Sequence, residues 1–419
     1  MHVLRSFEPY VAELERLSEV YGPDTFAEFA PHLDGEAGRR LRGAVPIEDL
    51  RRLGAFFTGE ALASRVVELV SDRTESYVDP ACGCGDLLLA ASARLPVRQS
   101  LEDTLQEWNE RLIGRDLVPE FIRAARARLV LAALTRGARM TARGTHPAAL
   151  LTNISVGDGT ALRPRQGAAV LVNPPYGQIV APPDRTWTTG LTTEAAVFLD
   201  SLLEACAPGV QVAAVLPEVL RAGSRYERFR ATVERRMEVM AVEPAGIFDA
   251  LTDVDVFLLA GTIAADAAVG LPTDWTAPVA EARLQDVCDV RVGAVVANRD
   301  PHRGPWRLYV DARDLAGRAV LRPARHRRFR GSVLDPPFVV VGRTNRPVLQ
   351  GPRVRATVVL GDRPIAVENH LIALVPHDHT RRACEALVRI VEAERASRFL
   401  DQRLRCRHLT VRALRDVPR

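Results

Sequence analysis

Two short segments of the chain carry residue types that can bind a ligand and act on it. The first is the glycine-rich stretch Pro80–Gly85, which follows Asp79 at the end of the apolar run Ser76–Asp79. In an open α/β sheet, ligands bind at the carboxyl ends of the strands, and Gly83 and Gly85 allow the backbone to turn tightly beside a ligand. As a pattern alone, this turn is typical of a site for NAD, another nucleotide or S-adenosylmethionine, or of an ordinary strand-to-helix connection.

The second segment is Asn173-Pro174-Pro175-Tyr176, which directly follows the apolar run Ala168–Val172. The two prolines have a fixed φ and no N–H group, so the backbone carbonyls beside them are held rigidly. An amide side chain and an aromatic ring flank those carbonyls. Such a group can accept the hydrogens of a planar amino group while the ring stacks on the molecule that carries it. The alternative interpretation is that the prolines only end the strand.

The elements that must position these segments alternate along residues 60–260. Seven short apolar runs predict strands, and five amphipathic stretches predict helices. This alternation indicates a mostly parallel sheet that is covered on both faces. The predicted strands are Ser76–Asp79, Leu112–Arg115, Ile154–Val156, Ala168–Val172, Val210–Leu216, Met237–Val242 and Val254–Ala260, and the predicted helices are Glu60–Val70, Leu87–Leu95, Glu120–Leu134, Thr193–Ala205 and Ser224–Arg236.

The charge of the chain is divided unevenly. Residues 271–419 contain 28 arginines against 16 acidic residues, whereas acidic residues are in excess before them. A basic excess attracts phosphate, so the C-terminal part is a candidate for binding nucleic acid. The alternative is that arginine coats any solvated surface in a chain that has no lysine. The pattern also changes here, to strand-like pieces at Phe338–Val341, Arg355–Leu360 and Leu371–Val375 and a helical stretch at Arg381–Leu404.

These patterns predict three parts: an N-terminal helical segment over residues 1–50, an α/β domain over 51–268, and a basic, mixed α+β domain over 269–419. Several classes of protein are excluded. Without lysine, the chain has neither a lysine-containing phosphate loop nor a Schiff-base lysine. No apolar run approaches the length of a membrane span, and the acidic N-terminal stretch is not a secretory signal, so we expect a cytoplasmic protein. The six cysteines are scattered, and we expect no metal site.

The two motifs, in this order and followed by a basic region, resemble the S-adenosylmethionine-dependent DNA adenine amino-methyltransferases. The arrangement is similar to the gamma order found in modification subunits and single-chain restriction–modification enzymes, and the resemblance covers roughly residues 50–260. It implies a seven-stranded Rossmann-like catalytic domain, S-adenosylmethionine as cofactor, and a C-terminal target-recognition domain. It also implies duplex DNA as partner, with a possible separate restriction or defence subunit.

The resemblance implies a role for each matching residue around the cofactor. Phe57 and Thr58 resemble part of the segment, Gly54–Gly59 here, that closes over the methionine moiety. Asp116 resembles the acid that binds ribose hydroxyls, although it lies 37 residues after Asp79; an insertion near residues 96–108 would account for a spacing longer than the roughly 20 residues of a compact unit. The implied cofactor-binding set is Phe57, Thr58, Asp79, Ala81, Gly83, Gly85, Asp116, Asp158 and Asn173.

The implied catalytic set is Asn173, Pro174, Pro175 and Tyr176. The side-chain carbonyl of Asn173 and the backbone carbonyl of Pro174 would accept the two amino hydrogens of a base that has been flipped out of the duplex. The residues expected to stack on that base are Tyr176 and Phe248. The residues expected to contact DNA phosphates, unless they form a solvated loop, are Arg322, Arg325, Arg327, Arg328 and Arg330.

Two other functions stay open at this point. A methyltransferase that acts on RNA or on a protein glutamine would carry the same Asn-Pro-Pro-Tyr group, although a protein substrate gives no reason for a basic domain. A catalytically inactive DNA-binding specificity module would keep the fold, although the intact Asp79, Asn173 and Tyr176 argue against it. In the family, Asn in place of Ser before the prolines favours adenine over cytosine as the target.

Overall fold

The structure is a computed structural model that describes residues 5–19, 26–46, 48–50, 57–140, 146–248, 254–265, 275–276, 281–315, 317–344, 351–403 and 409–419. The chain divides into two compact units, Met1–Thr273 and Asp274–Arg419. The predicted boundary at residues 268 and 269 lies outside the described residues. None of the helices in the described ranges is long and apolar enough to cross a membrane.

The first unit is built on a seven-stranded sheet with the strand order β3-β2-β1-β4-β7-β9-β8. All of its strands run parallel except β9, which is antiparallel to both of its neighbours. A separate pair, β5 and β6, forms a hairpin. The strands are β1 (Ser76–Asp79), β2 (Leu112–Asp116), β3 (Ile154–Val156), β4 (Ala168–Val172), β5 (Gln178–Val180), β6 (Leu191–Thr193), β7 (Gln211–Pro217), β8 (Met237–Ile247) and β9 (Asp255–Ile263).

The predicted α/β fold class is confirmed by this sheet. All five residues of β4 are buried, because a central parallel strand is covered on both faces. The helices of the unit are α1 (Glu8–Ser18), α2 (Phe26–Leu33), α3 (Glu36–Ala44), α4 (Glu60–Glu68), α5 (Asp86–Ser92), α6 (Leu101–Arg111), α7 (Pro119–Thr135), α8 (Glu194–Ala205), α9 (Glu218–Ala222) and α10 (Glu227–Arg236).

Helix α6 explains the long spacing between the first two strand ends. It occupies most of the segment in which the sequence predicts an insertion, and it begins at a Ser100 side chain that accepts a hydrogen bond from the backbone N–H of Asp103. The N-terminal helices belong to the same hydrophobic core as the sheet. Phe7 packs edge-on against Phe121 of α7, with ring centroids 5.9 Å apart. The N-terminal segment therefore forms one side of the first unit.

The second unit contains a five-stranded sheet in the order β10-β17-β14-β15-β12 and a three-stranded sheet in the order β13-β11-β16. The predicted single helix Arg381–Leu404 is wrong, because Ala393 has an extended backbone, with ψ at 146°, between two helices. The elements are β10 (Cys288–Val292), β11 (Trp306–Val310), β12 (Val320–Leu321), β13 (His326–Arg328), β14 (Phe338–Gly342), β15 (Ala356–Val359), β16 (Ile365–Val367), β17 (Leu371–Pro376), α11 (Arg381–Glu392), α12 (Glu394–Arg403) and α13 (Val411–Arg415).

Candidate active site

The two sequence motifs meet at one edge of the seven-stranded sheet. Asp79 is the last residue of β1, and Asn173 follows the last residue of β4, which is the neighbouring parallel strand. The strand order reverses between these two strands, and such a switch point is where open α/β sheets bind ligands. A cavity of about 520 Å³ opens there. It is lined by every predicted cofactor-binding residue except Gly85, namely Phe57, Thr58, Asp79, Ala81, Gly83, Asp116, Asp158 and Asn173.

The glycine turn requires glycine at both predicted positions. Gly83 and Gly85 have positive φ values of 50° and 85°, a region that other residues rarely adopt. A Cβ atom at Gly83 would lie 3.0 Å from the ring of Phe57, and one at Gly85 would lie 3.0 Å from Cβ of Ala125. Gly85 therefore shapes the turn against α7 without lining the cavity. The predicted lid residues Gly54, Ala55 and Phe56 lie outside the described residues.

Asp116, at the end of β2, is joined to the glycine turn. Its Oδ2 accepts a hydrogen bond from the backbone N–H of Gly83 over 2.9 Å, and its Oδ1 accepts one from Val118 over 2.9 Å. Burial raises the pKa of Asp116, and the backbone N–H donors oppose that shift. The carboxylate is thus held in a fixed orientation at the cavity wall, which suits an acceptor for a pair of hydroxyl groups.

Asp79 and Asp158 are held differently. Asp79 is buried, with Oδ1 accepting from the backbone N–H of Ala81 over 3.1 Å, and burial raises its pKa well above the usual range. Asp158 follows β3 and is exposed to solvent. Its Oδ1 accepts from both the N–H and the hydroxyl of Thr160, at 2.9 and 2.7 Å. The three strand-end acids therefore surround the cavity at different depths.

The Asn-Pro-Pro-Tyr segment is anchored at both ends. Nδ2 of Asn173 donates to the Thr58 hydroxyl over 3.1 Å, which fixes the plane of the amide. The Tyr176 hydroxyl donates to the backbone carbonyl of Val215 in β7 over 3.2 Å. The Tyr176 ring lies 6.0 Å from the ring of Phe248 in an edge-to-face arrangement, so the structure brings the predicted stacking pair together. Burial raises the pKa of Tyr176 well above its usual value, so the phenol is neutral.

An ion pair that sequence reasoning missed supports the glycine turn from below. Arg128 in α7 is fully buried and donates from Nη1 to Oδ1 of Asp86 over 2.8 Å and to the carbonyl of Cys84 over 2.6 Å. Its Nε donates to the carbonyl of His32 over 2.7 Å. Arg123 and Arg126 also lie on α7 and are half-buried, so the pattern gives no signal that distinguishes Arg128 from them.

Glu194, the first residue of α8, is a second residue that the sequence did not indicate. It lines the cavity with Asn173 and Pro175, and its backbone N–H donates to the carbonyl of Gly177 over 2.8 Å. Burial raises the pKa of its carboxyl group. Among the described residues, no side chain or backbone group hydrogen-bonds to this carboxylate. The only sequence signal is that it lies in the first turn of the predicted helix Thr193–Ala205.

The predicted DNA-contacting arginines lie in the second unit and differ in exposure. Arg322, Arg328 and Arg330 are exposed. Arg327 is only 6% exposed, and its Nη2 donates to the carbonyl of Asp300 over 2.8 Å, so it faces inward. Arg325 forms ion pairs with two aspartates of its own unit. The structure therefore does not present the five arginines as one solvent-facing row.

A comparison with known protein families gives a match that lies within the first unit. Residues 47–259 match the family described as N-6 DNA Methylase, and this range is just over half of the chain. The chain belongs to the N-6 DNA methylase family. The family membership confirms the predicted enzyme class, a methyltransferase with S-adenosylmethionine as methyl donor. The comparison with curated proteins gives no match.

Among solved structures, this chain is similar to a Listeria monocytogenes protein described as a class I S-adenosylmethionine-dependent methyltransferase. The identity is 18%, the match covers 57% of this chain and 71% of that chain, and the TM-score is 0.37. It is similar to the type I restriction enzyme EcoKI M protein at 18% identity, over 62% and 59% of the two chains, with a TM-score of 0.37. It is similar to the type IIL restriction–modification enzyme MmeI in complex with DNA at 10% identity, over 82% and 65%, with a TM-score of 0.48. The chain thus spans less than two thirds of the length of the last two proteins.

The residues of the cavity fit S-adenosylmethionine. Among the described residues that line it are five acidic residues and no arginine, and of these Asp86 is already paired with Arg128; the remaining acidic excess matches a ligand that carries a sulfonium and an ammonium charge. Asp116 offers a fixed acceptor of the kind that binds ribose hydroxyls in nucleotide sites. Phe57, Phe121 and Phe198 add apolar walls of the kind that an adenine ring packs against. The carboxylates at the wall are Asp79, Asp86, Asp116, Asp158 and Glu194.

Proposed function

We propose that this N-6 DNA methylase is a site-specific enzyme that transfers a methyl group to the exocyclic N6 of adenine in duplex DNA after flipping the base out of the helix. The observation that carries the proposal is the meeting of Asp79, Asp116 and Asn173 at one cavity, beside the paired rings of Tyr176 and Phe248. In this proposal the cavity holds the methyl donor, and the rings of Tyr176 and Phe248 stack on the target base.

The proposed chemistry follows from the nature of the amino group. The lone pair of an exocyclic amine is delocalised into the ring, so the nitrogen is a poor nucleophile. The carbonyl of the Asn173 side chain and the backbone carbonyl of Pro174 accept its two hydrogens, which favours a pyramidal nitrogen with a directed lone pair. Because Thr58 holds the amide of Asn173, this acceptor is oriented before the base arrives.

S-adenosylmethionine supplies an electrophilic methyl group on a sulfonium when it is bound. The acidic wall of the cavity favours that cation, and the apolar walls exclude water around it. Tyr176 and Phe248 offset part of the cost of unstacking the base, which is a few kcal/mol. No side chain has to form a covalent bond, so catalysis rests on positioning and on fixed dipoles.

The direct test uses labelled S-adenosylmethionine and unmethylated genomic DNA. The DNA is digested to nucleosides after incubation, and the labelled nucleoside is identified by mass. We expect N6-methyladenine with the wild-type chain and none with Asn173→Ala. Label in cytidine would contradict the base assignment. Label that enters RNA or protein glutamine but never DNA would favour the alternative substrates, and cofactor binding without any transfer would favour an inactive specificity module.

We also propose duplex DNA as the main partner, since 28 of the arginines lie in residues 271–419. We propose a separate restriction or defence subunit as a second partner. We also propose that the protein is cytoplasmic. Affinity purification of the tagged chain from its own cells, followed by identification of bound proteins, tests for such a subunit. Recovery of the chain without any other protein in a comparable molar amount would argue against a stable subunit.

A further inference from the structure

The second unit exposes a tryptophan that the proposed methyl transfer does not use. Trp306, the first residue of β11, is 68% exposed, although Leu308 and Val310 share its face of the strand. Val310 is fully buried in a hydrophobic cluster, and Leu308 packs against that cluster. The core therefore covers the inner end of this face and stops before Trp306. A large ring is thus held on a paired strand with most of its surface open to a partner.

Two arginines are fixed close to the strand end that carries this ring. Trp306 lies opposite Arg328 in the β11–β13 ladder, and Nε of Arg328 donates to the carbonyl of Gly304 over 2.9 Å. Gly304 has a φ of 105°, and a Cβ atom there would lie 2.4 Å from Cγ of Arg330. The glycine therefore lets the end of β13 approach the start of β11 closely. These contacts place Arg328 and Arg330 beside the strand end of the exposed indole.

The outer end of the Arg328 guanidinium is available to a ligand. The side chain is exposed, and within the described part of the chain only its Nε has a hydrogen-bond partner. Nη1 and Nη2 form a fork that can donate two parallel hydrogen bonds to the oxygens of a phosphate. No acidic side chain in the described ranges pairs with Arg328 or Arg330, whereas Arg325 pairs with two aspartates. Arg328 and Arg330 therefore keep their positive charge for a partner.

An exposed ring beside unpaired arginines suits a nucleic acid. Arginines neutralise phosphates, and an aromatic ring stacks on a base. The excess of arginine over acidic residues in residues 271–419 extends this charge complementarity to the whole unit. In a duplex, the neighbouring base pairs cover each base face, so a ring reaches such a face only where a base step opens. Large apolar side chains that enter a step unstack it and kink the duplex.

We propose that Trp306 enters one base step of the bound duplex and stacks on a base, while the Nη1–Nη2 fork of Arg328 binds a phosphate beside that step. The inference rests on the proposed function, since it takes duplex DNA as the partner. It gives the second unit a way to sense sequence through the deformability of DNA, because pyrimidine–purine steps open more easily than other steps.

The first measurement uses the fluorescence of Trp306 and depends on no variant. Acrylamide, an uncharged quencher, reaches Trp306 most readily, because the other three tryptophans are buried: Trp108, Trp187 and Trp275. Saturating genomic DNA is expected to lower the emission of the 419-residue chain and to protect it from acrylamide, since a stacked base both quenches and covers an indole. Trp306→Phe should bind DNA without either change. Protection without a fall in emission, or no change at all in the bound protein, would overturn the inference.

The second measurement is the affinity for DNA. Trp306→Ala is expected to weaken binding by about 5- to 150-fold, the range for loss of one stacked base, while Trp306→Phe keeps most of the affinity. The slope of log K against log salt should not change in Trp306→Ala, because no charge is lost, whereas Arg328→Gln should lower it by about 0.9. Val292→Ala, at an exposed position of β10, is the control. Wild-type affinity of Trp306→Ala would contradict the inference.

The third measurement follows the shape of the DNA. A duplex that carries the mapped methylation site and a dye at each end should show higher energy transfer when the wild-type protein binds, and Trp306→Ala should remove that increase. Binding by the wild type without a change in energy transfer would exclude an opened step and overturn the inference. Protection of the indole that rises with protein concentration in the absence of DNA would also overturn it, because it would show a contact between copies of the chain. If the wild type methylates no DNA, the proposed function fails, whereas the emission and affinity on genomic DNA still decide whether Trp306 stacks on a base.

Discussion

Arg128 and Asp86 form a buried ion pair, with Nη1 and Oδ1 2.8 Å apart, directly beneath the glycine turn. The second oxygen of Asp86 accepts from the backbone N–H of Gly59 over 2.9 Å, next to Thr58 in the cavity wall. The same arginine donates to the carbonyls of Cys84 and His32. One ion pair therefore links the end of α2, the glycine turn and the start of α4, so the N-terminal helices help to set the shape of the cofactor cavity.

We predict that Arg128→Met destabilises the protein by about 3–5 kcal/mol, because it leaves the carboxylate of Asp86 buried without its charge partner. Urea unfolding measures the free energy, and S-adenosylmethionine affinity is expected to fall with it. The control is a double-mutant cycle with Asp86→Asn, which keeps an acceptor for Gly59. The double variant should be clearly more stable than the sum of the two single effects implies. Simple additivity would show that the two residues act independently.

We predict that Asp79→Asn stabilises the cofactor-free protein at neutral pH while it weakens S-adenosylmethionine binding. Burial raises the pKa of Asp79 in the folded state, and the charges of Asp116 and Asp86 add to the effect. The folded state therefore holds this proton more tightly than the unfolded chain. The resulting stability is full below the unfolded pKa of about 3.9 and is lost as the pH rises through the folded pKa.

The measurement is the melting temperature of both proteins between pH 5.5 and 8.5 without cofactor. The advantage of Asp79→Asn should grow with pH toward a plateau above the folded pKa of Asp79. A matched comparison is Asp86→Asn, which removes the partner of Arg128 and should lower the melting temperature throughout. If the melting temperature of Asp79→Asn minus that of the wild type is constant with pH or negative, the Asp79 carboxylate is not destabilising in the free protein.

The sequence predicts the ends of the strands that carry the site better than it predicts the helices. β1 and β4 have the predicted bounds, because each is a short segment with apolar residues at its centre that is followed within two residues by a proline. Helix α6 is predicted only as an insertion, although its buried residues Leu101, Leu105 and Trp108 have helical spacing. The break at Ala393 carries no glycine or proline, so the pattern continues through it and predicts one helix where the structure has two.

For the candidate site, too, the sequence predicts the residues at strand ends better than the residues on helices. Asp79 and Asp116 end their strands and Asn173 directly follows one, so their meeting is a consequence of parallel topology. Arg128 and Glu194 lie within or at the start of helices, and their roles depend on which helix face is turned toward the core. Periodicity does not distinguish a buried arginine from a solvated one when arginine is common on both faces. The five-arginine run does not form a single surface for a similar reason, because a strand alternates its side chains between two faces.

We predict that Asn173→Ala lowers methyl transfer by at least about 10²- to 10³-fold, the cost of removing one positioned polar group in an active site. Binding of S-adenosylmethionine and DNA should stay near the wild-type level, since Asp79, Asp116 and the glycine turn are untouched. Turnover on genomic DNA is compared with equilibrium binding of both ligands. Thr58→Val is the companion variant, because it leaves Asn173 in place but removes the hydroxyl that orients the amide. Near-normal turnover by Asn173→Ala would refute its assignment.

We predict, finally, that the exposed members of the arginine run bind DNA phosphates. Replacing Arg322, Arg328 and Arg330 together by Gln should weaken DNA binding and lower the slope of log K against log salt by about 0.9 for each phosphate that is no longer neutralised. Arg328 lies opposite Trp306 in the β11–β13 ladder, and that tryptophan is 68% exposed, so an aromatic ring extends the same face.

The control for that variant removes three exposed arginines of α11, namely Arg381, Arg382 and Arg389. Both triple variants change the net charge by the same amount, so a purely general attraction would alter their slopes equally. A specific phosphate-binding surface requires the larger change in the variant of Arg322, Arg328 and Arg330. Equal slopes for the two variants would show that this run is a solvated part of a generally basic domain, and that the phosphates bind elsewhere in the second unit.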